Sequence, residues 1–382
     1  MVVLPIVVSV GLPLGFLFIV RRLNLYATSF VPVAVCFAAG LAAFPVAYVV
    51  NTTMVRGLIG AGMVATAAVL LLRTLLAPII EETCKATGLL VAVRRPDFTY
   101  FVDGAVCGFA AGTAFAVLEN ISYLANTGFS SGLGLSVNRA LSTSLMHGTA
   151  SAIVGVALGR LRFGRGPARV AALVVGLGAA MLLHISFNRV VNGSVPPAWV
   201  VPAAIFIGAF GLSSVAGLIV WGLREERRWL AETLQLEIGV TAAESVAVQR
   251  LAERKAILAP IEARFGVEKR RQVEAFLRLE ARLGLQTKVL SRSSDAKKRA
   301  ALATDIAQIH TELDSLRRAV GVYCMSYLRS TLPAQGEPMW DVIERALAEE
   351  HEPTINLWDK IGQRLDASDQ GAAPVDATNQ GA

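Results

Sequence analysis

The sequence predicts an all-α protein: a polytopic transmembrane helical bundle of about seven spans followed by a C-terminal helical cytoplasmic domain. Three observations carry this. The 382 residues are 54% hydrophobic and only 17% charged, whereas soluble domains run near ~25% charged. The charge is unevenly divided: residues 1–222 hold 13 Lys+Arg and 5 Asp+Glu, and residues 223–382 hold 23 and 24. The first part is also cut into apolar runs of the ~20 residues that cross a bilayer as a helix. A nearly neutral soluble part argues against a nucleic-acid partner, because no basic patch is concentrated there.

Taken in order, spans are expected near residues 2–20, 30–50, 57–93, 98–124, 140–160, 168–191 and 198–222. Arg21 and Arg22 follow the first apolar run instead of preceding it, which fits a retained signal anchor. The 57–93 run is too long for one straight crossing, at ~55 Å against a hydrocarbon core of ~30 Å. Pro78 is expected to break it. Two full crossings there would make eight spans. Loop charges set the orientation. Eleven arginines (21, 22, 94, 95, 160, 162, 165, 169, 224, 227, 228) fall on one side and three (56, 139, 189) on the other. The positive-inside rule then puts the N-terminus outside a cell membrane and the C-terminal domain in the cytoplasm. Gly108/Gly112 and Gly155/Gly159 have the small-xxx-small spacing that lets helices approach closely.

Beyond Trp221 the periodicity stays helical over 225–258, 267–290 and 295–330, punctuated by Pro260 and Ser291–Ser294. A shorter helix is expected over 339–366, and the Ala/Asp/Gln/Gly-rich residues 367–382 are expected to be disordered. The domains are thus 1–222 in the membrane, 223–366 helical and soluble, and 367–382 a tail. Four cysteines make no CxxC pair, so neither a disulfide framework nor a thiolate zinc site is implied. The soluble helices carry no catalytic motif.

The chemistry is expected in the membrane half. Glu81 and Glu82 stand side by side in a run whose only other charges are Arg73 and Lys85. A carboxylate at the bilayer centre costs a few kcal/mol, and an ion pair with Lys85 would need only one of them. Glu119, His147 and His184 each lie in another apolar run. At 1.5 Å per residue, Glu81 rises ~20 Å from Arg94, while His147, His184 and Glu119 lie ~12, ~12 and ~10 Å from the opposite face. All four therefore fall at one level in the outer half. Asn188 shares a helix face with His184, and Lys85 with Glu81, at i, i+4 spacing.

These residues carry a resemblance. Glu81-Glu82-Thr83-Cys84-Lys85 resembles the EExxK motif of the PrsW family of intramembrane proteases. Phe115 to Asn120 is similar to its FxxxEN segment, and His147 and His184-Ile185-Ser186-Phe187-Asn188 to its histidine motifs. The family is distantly related to the CAAX-endopeptidase and bacteriocin-processing proteases, which show EExxxR, FxxxH and HxxxN/D. Here Lys85 comes one position early and Glu119 replaces a histidine, which favours PrsW. The resemblance covers roughly residues 75–190. It implies an endopeptidase whose substrates are membrane-anchored proteins, such as anti-sigma factors, cut near the extracytoplasmic face.

Two chemistries fit these residues. A buried glutamate could activate water with a histidine at the oxyanion. Alternatively His147, His184 and Glu119 could hold Zn²⁺, with Glu81 or Glu82 as base. A proton-coupled transporter or channel using the same groups is the competing function. Such a relay would form a ladder across the membrane and not a single level.

Overall fold

The computed structural model describes residues 3–26, 29–95, 98–127, 132–160, 166–194, 196–234, 240–293 and 296–331. Among them every regular element is helical. The expected helix over 339–366 and the tail lie outside the described residues.

The membrane half comprises α1 (Val3–Leu23), α2 (Val31–Gly60), α3 (Ala65–Leu71), a π-turn (Leu72–Leu76), α4 (Ala77–Ala92), α5 (Phe101–Thr127), α6 (Gly132–Leu141), α7 (Thr143–Arg160), α8 (Gly166–Arg189) and α9 (Pro197–Leu234). Among the described residues, six stretches are long and apolar enough to cross a membrane: α1, α2, α5, α6 with α7, Val170–Gly193 in and beyond α8, and α9.

The expected 57–93 run is divided differently. Gly57 to Gly60 finish α2, and a turn follows in which Gly62 takes φ 94°, a conformation that favours glycine. From Ala65 the chain stays helical to Ala92 through the π-turn. Pro78 does not break it. It sits in the first turn of α4, where a missing N–H is tolerated, directly after the widened turn.

The glycines explain how α5 and α7 meet. A Cβ on Gly104, Gly108 or Gly112 would lie 2.1 Å from the backbone oxygens of Gly155, Ser151 and His147 respectively. Only hydrogen fits there, so the two helices pack backbone to backbone. That contact fixes His147, on α7, against Glu119, about two turns beyond Gly112 on α5. The expected small-residue faces thus serve packing within the chain, whereas Gly11 and Gly15 on α1 meet nothing within 4 Å.

Helix α9 runs through residue 222 without interruption, and its last turns carry the C-terminal helices: α10 (Ala242–Gln249), α11 (Arg254–Arg292), α12 (Ala296–Val320) and α13 (Val322–Thr331). Gly284 of α11 packs against Leu230 and Leu234, and Thr233 Oγ1 donates to the Gly284 carbonyl at 3.1 Å. The Tyr100 hydroxyl, just before α5, donates to Glu225 at 3.0 Å, and its ring stacks 4.3 Å from Trp229. One expected break point moves, and one break is new. Pro260 lies inside α11, and the kink falls at Gly266, where φ is 87°. A second break at Gly321, with φ 86°, separates α12 from α13. In each case the residue that can adopt positive φ decides the place.

Where α10, α11 and α13 meet, Glu244 is fully buried and takes a two-pronged bond from Arg329 at 2.9 and 3.1 Å. Glu280 is also fully buried, but its nearest cation, Arg317, is 3.9 Å away. Burial, and secondarily the Glu244 charge, raise the Glu280 carboxyl well above its ordinary range. An acid raised on folding stabilises the fold below its unfolded pKa, and that stability is lost as pH climbs through the folded value. Glu280→Gln is therefore expected to raise the melting temperature at neutral pH, with the gain shrinking toward pH 4, as thermal unfolding at several pH values would show.

Candidate functional site

Four helices, α4, α5, α7 and α8, bring the expected residues into one cluster, to which α2, α6 and the π-turn add further side chains. α4 supplies Glu81, Glu82 and Lys85. Because 100° separates adjacent positions on a helix, the two glutamates point to different neighbours. Glu82, fully buried, takes Lys85 Nζ on Oε1 at 2.5 Å and His184 Nδ1 on the same oxygen at 2.8 Å. Glu81 turns toward a cavity, its Oε1 accepting from Asn51 Nδ2 of α2 at 3.2 Å and its Oε2 lying 3.8 Å from His184 Nε2. Lys85 was expected beside Glu81 on spacing, yet it bonds Glu82, at i, i+3.

The hydrogen bonds assign the imidazole protons. Glu82 can only accept from His184 as a carboxylate, so Nδ1 carries the proton and Nε2 presents its lone pair to Glu81. Lys85 Nζ also lies 3.0 Å from His147 Nδ1. An ammonium can only donate, so Nδ1 of His147 accepts and Nε2 bears the hydrogen, directed at Glu119 Oε2 3.0 Å away. The two rings stand 4.7 Å apart, edge to face at 85°. Lys85 is thus the buried hub of the cluster: its ammonium fixes a carboxylate and a tautomer, and it sits 5.0 Å over the Phe115 ring.

Glu119 is held from the other side. Arg139 of α6 reaches its Oε2 at 2.8 Å, donates through Nε to Asn120 Oδ1 at 2.8 Å, and lies 3.8 Å over the Tyr123 ring. Asn188 lines the cavity but does not bond to either histidine. Its Nδ2 donates to the backbone oxygen of Arg73 at 2.8 Å, tying α8 to the π-turn.

Glu81, Glu119, His147, His184 and Asn188 border a cavity of ≈ 240 Å³ with Arg73 and Arg139. Glu82 and Lys85 lie behind it. Among the described residues, Glu81, His147 and His184 form a group whose ligand atoms all fall within 4.8 Å of one another. Glu119 is not in that group. Sequence reasoning missed two participants. Arg139 was counted only as a loop charge. Asn51 was not considered, although Phe44, Tyr48 and Asn51 mark one face of α2 at i, i+4, i+7.

Residues 29–213 match the model for the PrsW family intramembrane metalloprotease. The resemblance to the PrsW family read from the motifs is borne out over those residues, which contain every site residue named above. Protease PrsW of Bacillus subtilis (strain 168) is 32% identical over 137 residues, covering 35% of this chain and 60% of that relative. No solved structure matches the chain.

Proposed function

We propose that the chain is an intramembrane metallopeptidase that hydrolyses peptide bonds of membrane-anchored proteins in the PrsW manner. The observation that carries this is the Glu81–His147–His184 group opening on a polar cavity inside apolar helices. The donor set suits Zn²⁺: two imidazoles and a carboxylate are a competent ligand set. The Glu82 carboxylate behind His184 is the kind of outer partner that orients a ligating imidazole. Glu81 takes the third ligand position in this account, in place of Glu119, which Arg139 draws aside. When bound, the ion lowers the pKa of water and polarises a carbonyl.

The chain's own residues do the rest. Lys85 holds Glu82 ionised, and Glu82 keeps the His184 proton on Nδ1. To ligate through Nε2 as a neutral imidazole, His147 would carry its proton on Nδ1 instead, with Lys85 turning its donors to Glu82, and this frees the Glu119 oxygen that Nε2 now holds. Glu119, on the cavity wall, then accepts the proton of the attacking water and returns it to the leaving nitrogen. Arg73 and Arg139 present cations to the cavity, where negative charge develops on the carbonyl oxygen. A transport relay would string such groups along a path, and here they share one cavity.

Glu119→Gln tests this division of labour. It is expected to slow cleavage ~10²–10⁴-fold, the usual contribution of a general base, while leaving metal content unchanged. Cleavage of co-reconstituted single-span proteins, with metal measured on the same sample, would decide. Loss of metal would make Glu119 a ligand, and unchanged cleavage would remove it from the mechanism.

In this proposal residues 1–222 form the membrane domain, with the α3–α4 segment as a seventh crossing. The N-terminus is outside and the later helices are cytoplasmic. Membrane-anchored regulators such as anti-sigma factors are the proposed substrates, cut in the outer half of the bilayer. Val322, 83% exposed on α13, gives a position for testing the orientation. A cysteine there, in a cysteine-free background, is expected to react with an impermeant thiol reagent only after cells are opened. Labelling of intact cells would reverse the topology.

A further inference from the structure

A second cavity, ≈ 370 Å³, lies on the other side of Glu81 and Glu119. Two helical stripes wall it. Phe44, Tyr48 and Asn51 come from one face of α2, and Phe115, Glu119 and Ser122 from one face of α5. Phe44 and Phe115 close its floor edge to face, with centroids 5.5 Å apart at 74°. Glu81 is the partition: its Oε2 faces His184 in the first cavity, and its Oε1 takes Asn51 Nδ2 from the second. Bonded through Nδ2, Asn51 keeps its Oδ1 buried and without a hydrogen-bond partner among the described residues. A buried amide oxygen next to a carboxylate is a costly thing to leave unpaired.

The geometry points to this cavity as the subsite that selects the substrate: it takes one large apolar side chain flanking the scissile bond, and Asn51 Oδ1 accepts a backbone N–H of the same segment. The inference rests on the peptidase reading above. An α-helix with side chains is ~10–12 Å across, and a site of ≈ 370 Å³ falls at the small end of the ~300–1,000 Å³ of ligand pockets. A substrate must therefore enter unwound. An unwound backbone at membrane depth needs polar partners supplied by the protein, and the unpaired Asn51 oxygen, beside the reacting group, is such a partner. The side chain adjoining that backbone then falls between Phe44, Tyr48 and Phe115, where its size is read by contact. Lipid is as apolar as the Phe44–Tyr48–Phe115 wall, so discrimination there comes from fit and not from escape from water.

The test uses the full chain, metal-loaded and reconstituted, on a single-span substrate whose cut site has been mapped. The residue on each side of the cut is varied in turn through Ala, Leu, Phe and Trp. Ser122→Phe narrows the pocket and Phe44→Ala widens it, and neither residue belongs to the Glu/His cluster. Ser122→Phe is expected to lower kcat/KM at least ~10-fold for Phe and Trp substrates at one flanking position while sparing Ala, a span typical of size readout in an apolar pocket. Phe44→Ala is expected to shift preference toward Trp at that same position. If both variants scale all four substrates by one factor, as they would if lipid filled the cavity or the fold merely weakened, the subsite assignment is overturned. If the wild-type chain cleaves no single-span protein offered to it, so that no cut site can be mapped, the peptidase reading falls and takes this inference with it.

Discussion

Lys85→Met is expected to destabilise the chain by ~3–5 kcal/mol and to abolish cleavage together. The estimate follows from the cost of stripping one partner from a buried ion pair. Lys85 is fully buried, and its ammonium meets Glu82 at 2.5 Å and His147 Nδ1 at 3.0 Å. Its removal leaves a carboxylate uncompensated among apolar helices and takes away the donor that positions both Glu82 and the His147 ring. The double variant Lys85→Met/Glu82→Gln is expected to regain much of the stability, since no buried charge remains unpaired, and none of the activity. Thermal unfolding in detergent and a cleavage assay on the same preparations would show the split. A single variant as stable as wild type would mean that the charge is relieved in some other way, and Lys85 would no longer be the hub.

How far the sequence reaches is clear from particular residues. The helices of the membrane half were legible because apolar runs of bilayer length are hard to mistake. Glu81, Glu82, Glu119, His147 and His184 stood out because ionisable side chains are expensive in such runs. Depth counted along each helix predicted one level, and the five residues do gather. What did not follow from sequence was who bonds whom. Lys85 at i, i+4 from Glu81 looked like its partner, but the rotation of α4 against α8 gives the ammonium to Glu82. Nor could spacing show that Arg139 captures Glu119, because that contact depends on how α6 folds back over α5. Helix breaks were misjudged for a local reason. Prolines 78 and 260 are accommodated within helices, and the turns fall where a glycine can take positive φ.

The other large effect expected is at the proposed metal ligands. His184 Nε2 faces Glu81 Oε2 while its proton stays on Nδ1, donated to Glu82, so both side chains can offer a lone pair to an ion. His184→Ala and Glu81→Gln are each expected to lose metal and cleavage together, because a ligand and not merely a catalytic group is removed. A glutamic mechanism predicts otherwise: activity lost, no metal to lose, and no response to chelators. Structural zinc sites bind their ion with roughly 10 kcal/mol or more, and an ion held with anything near that should survive purification in wild type. The most direct test is elemental analysis of purified, active wild-type enzyme beside His184→Ala. The account predicts about one equivalent of a transition metal in the first, expected to be zinc by the donor set, and next to none in the second. An active wild-type preparation holding well under half an equivalent of any transition metal would contradict it.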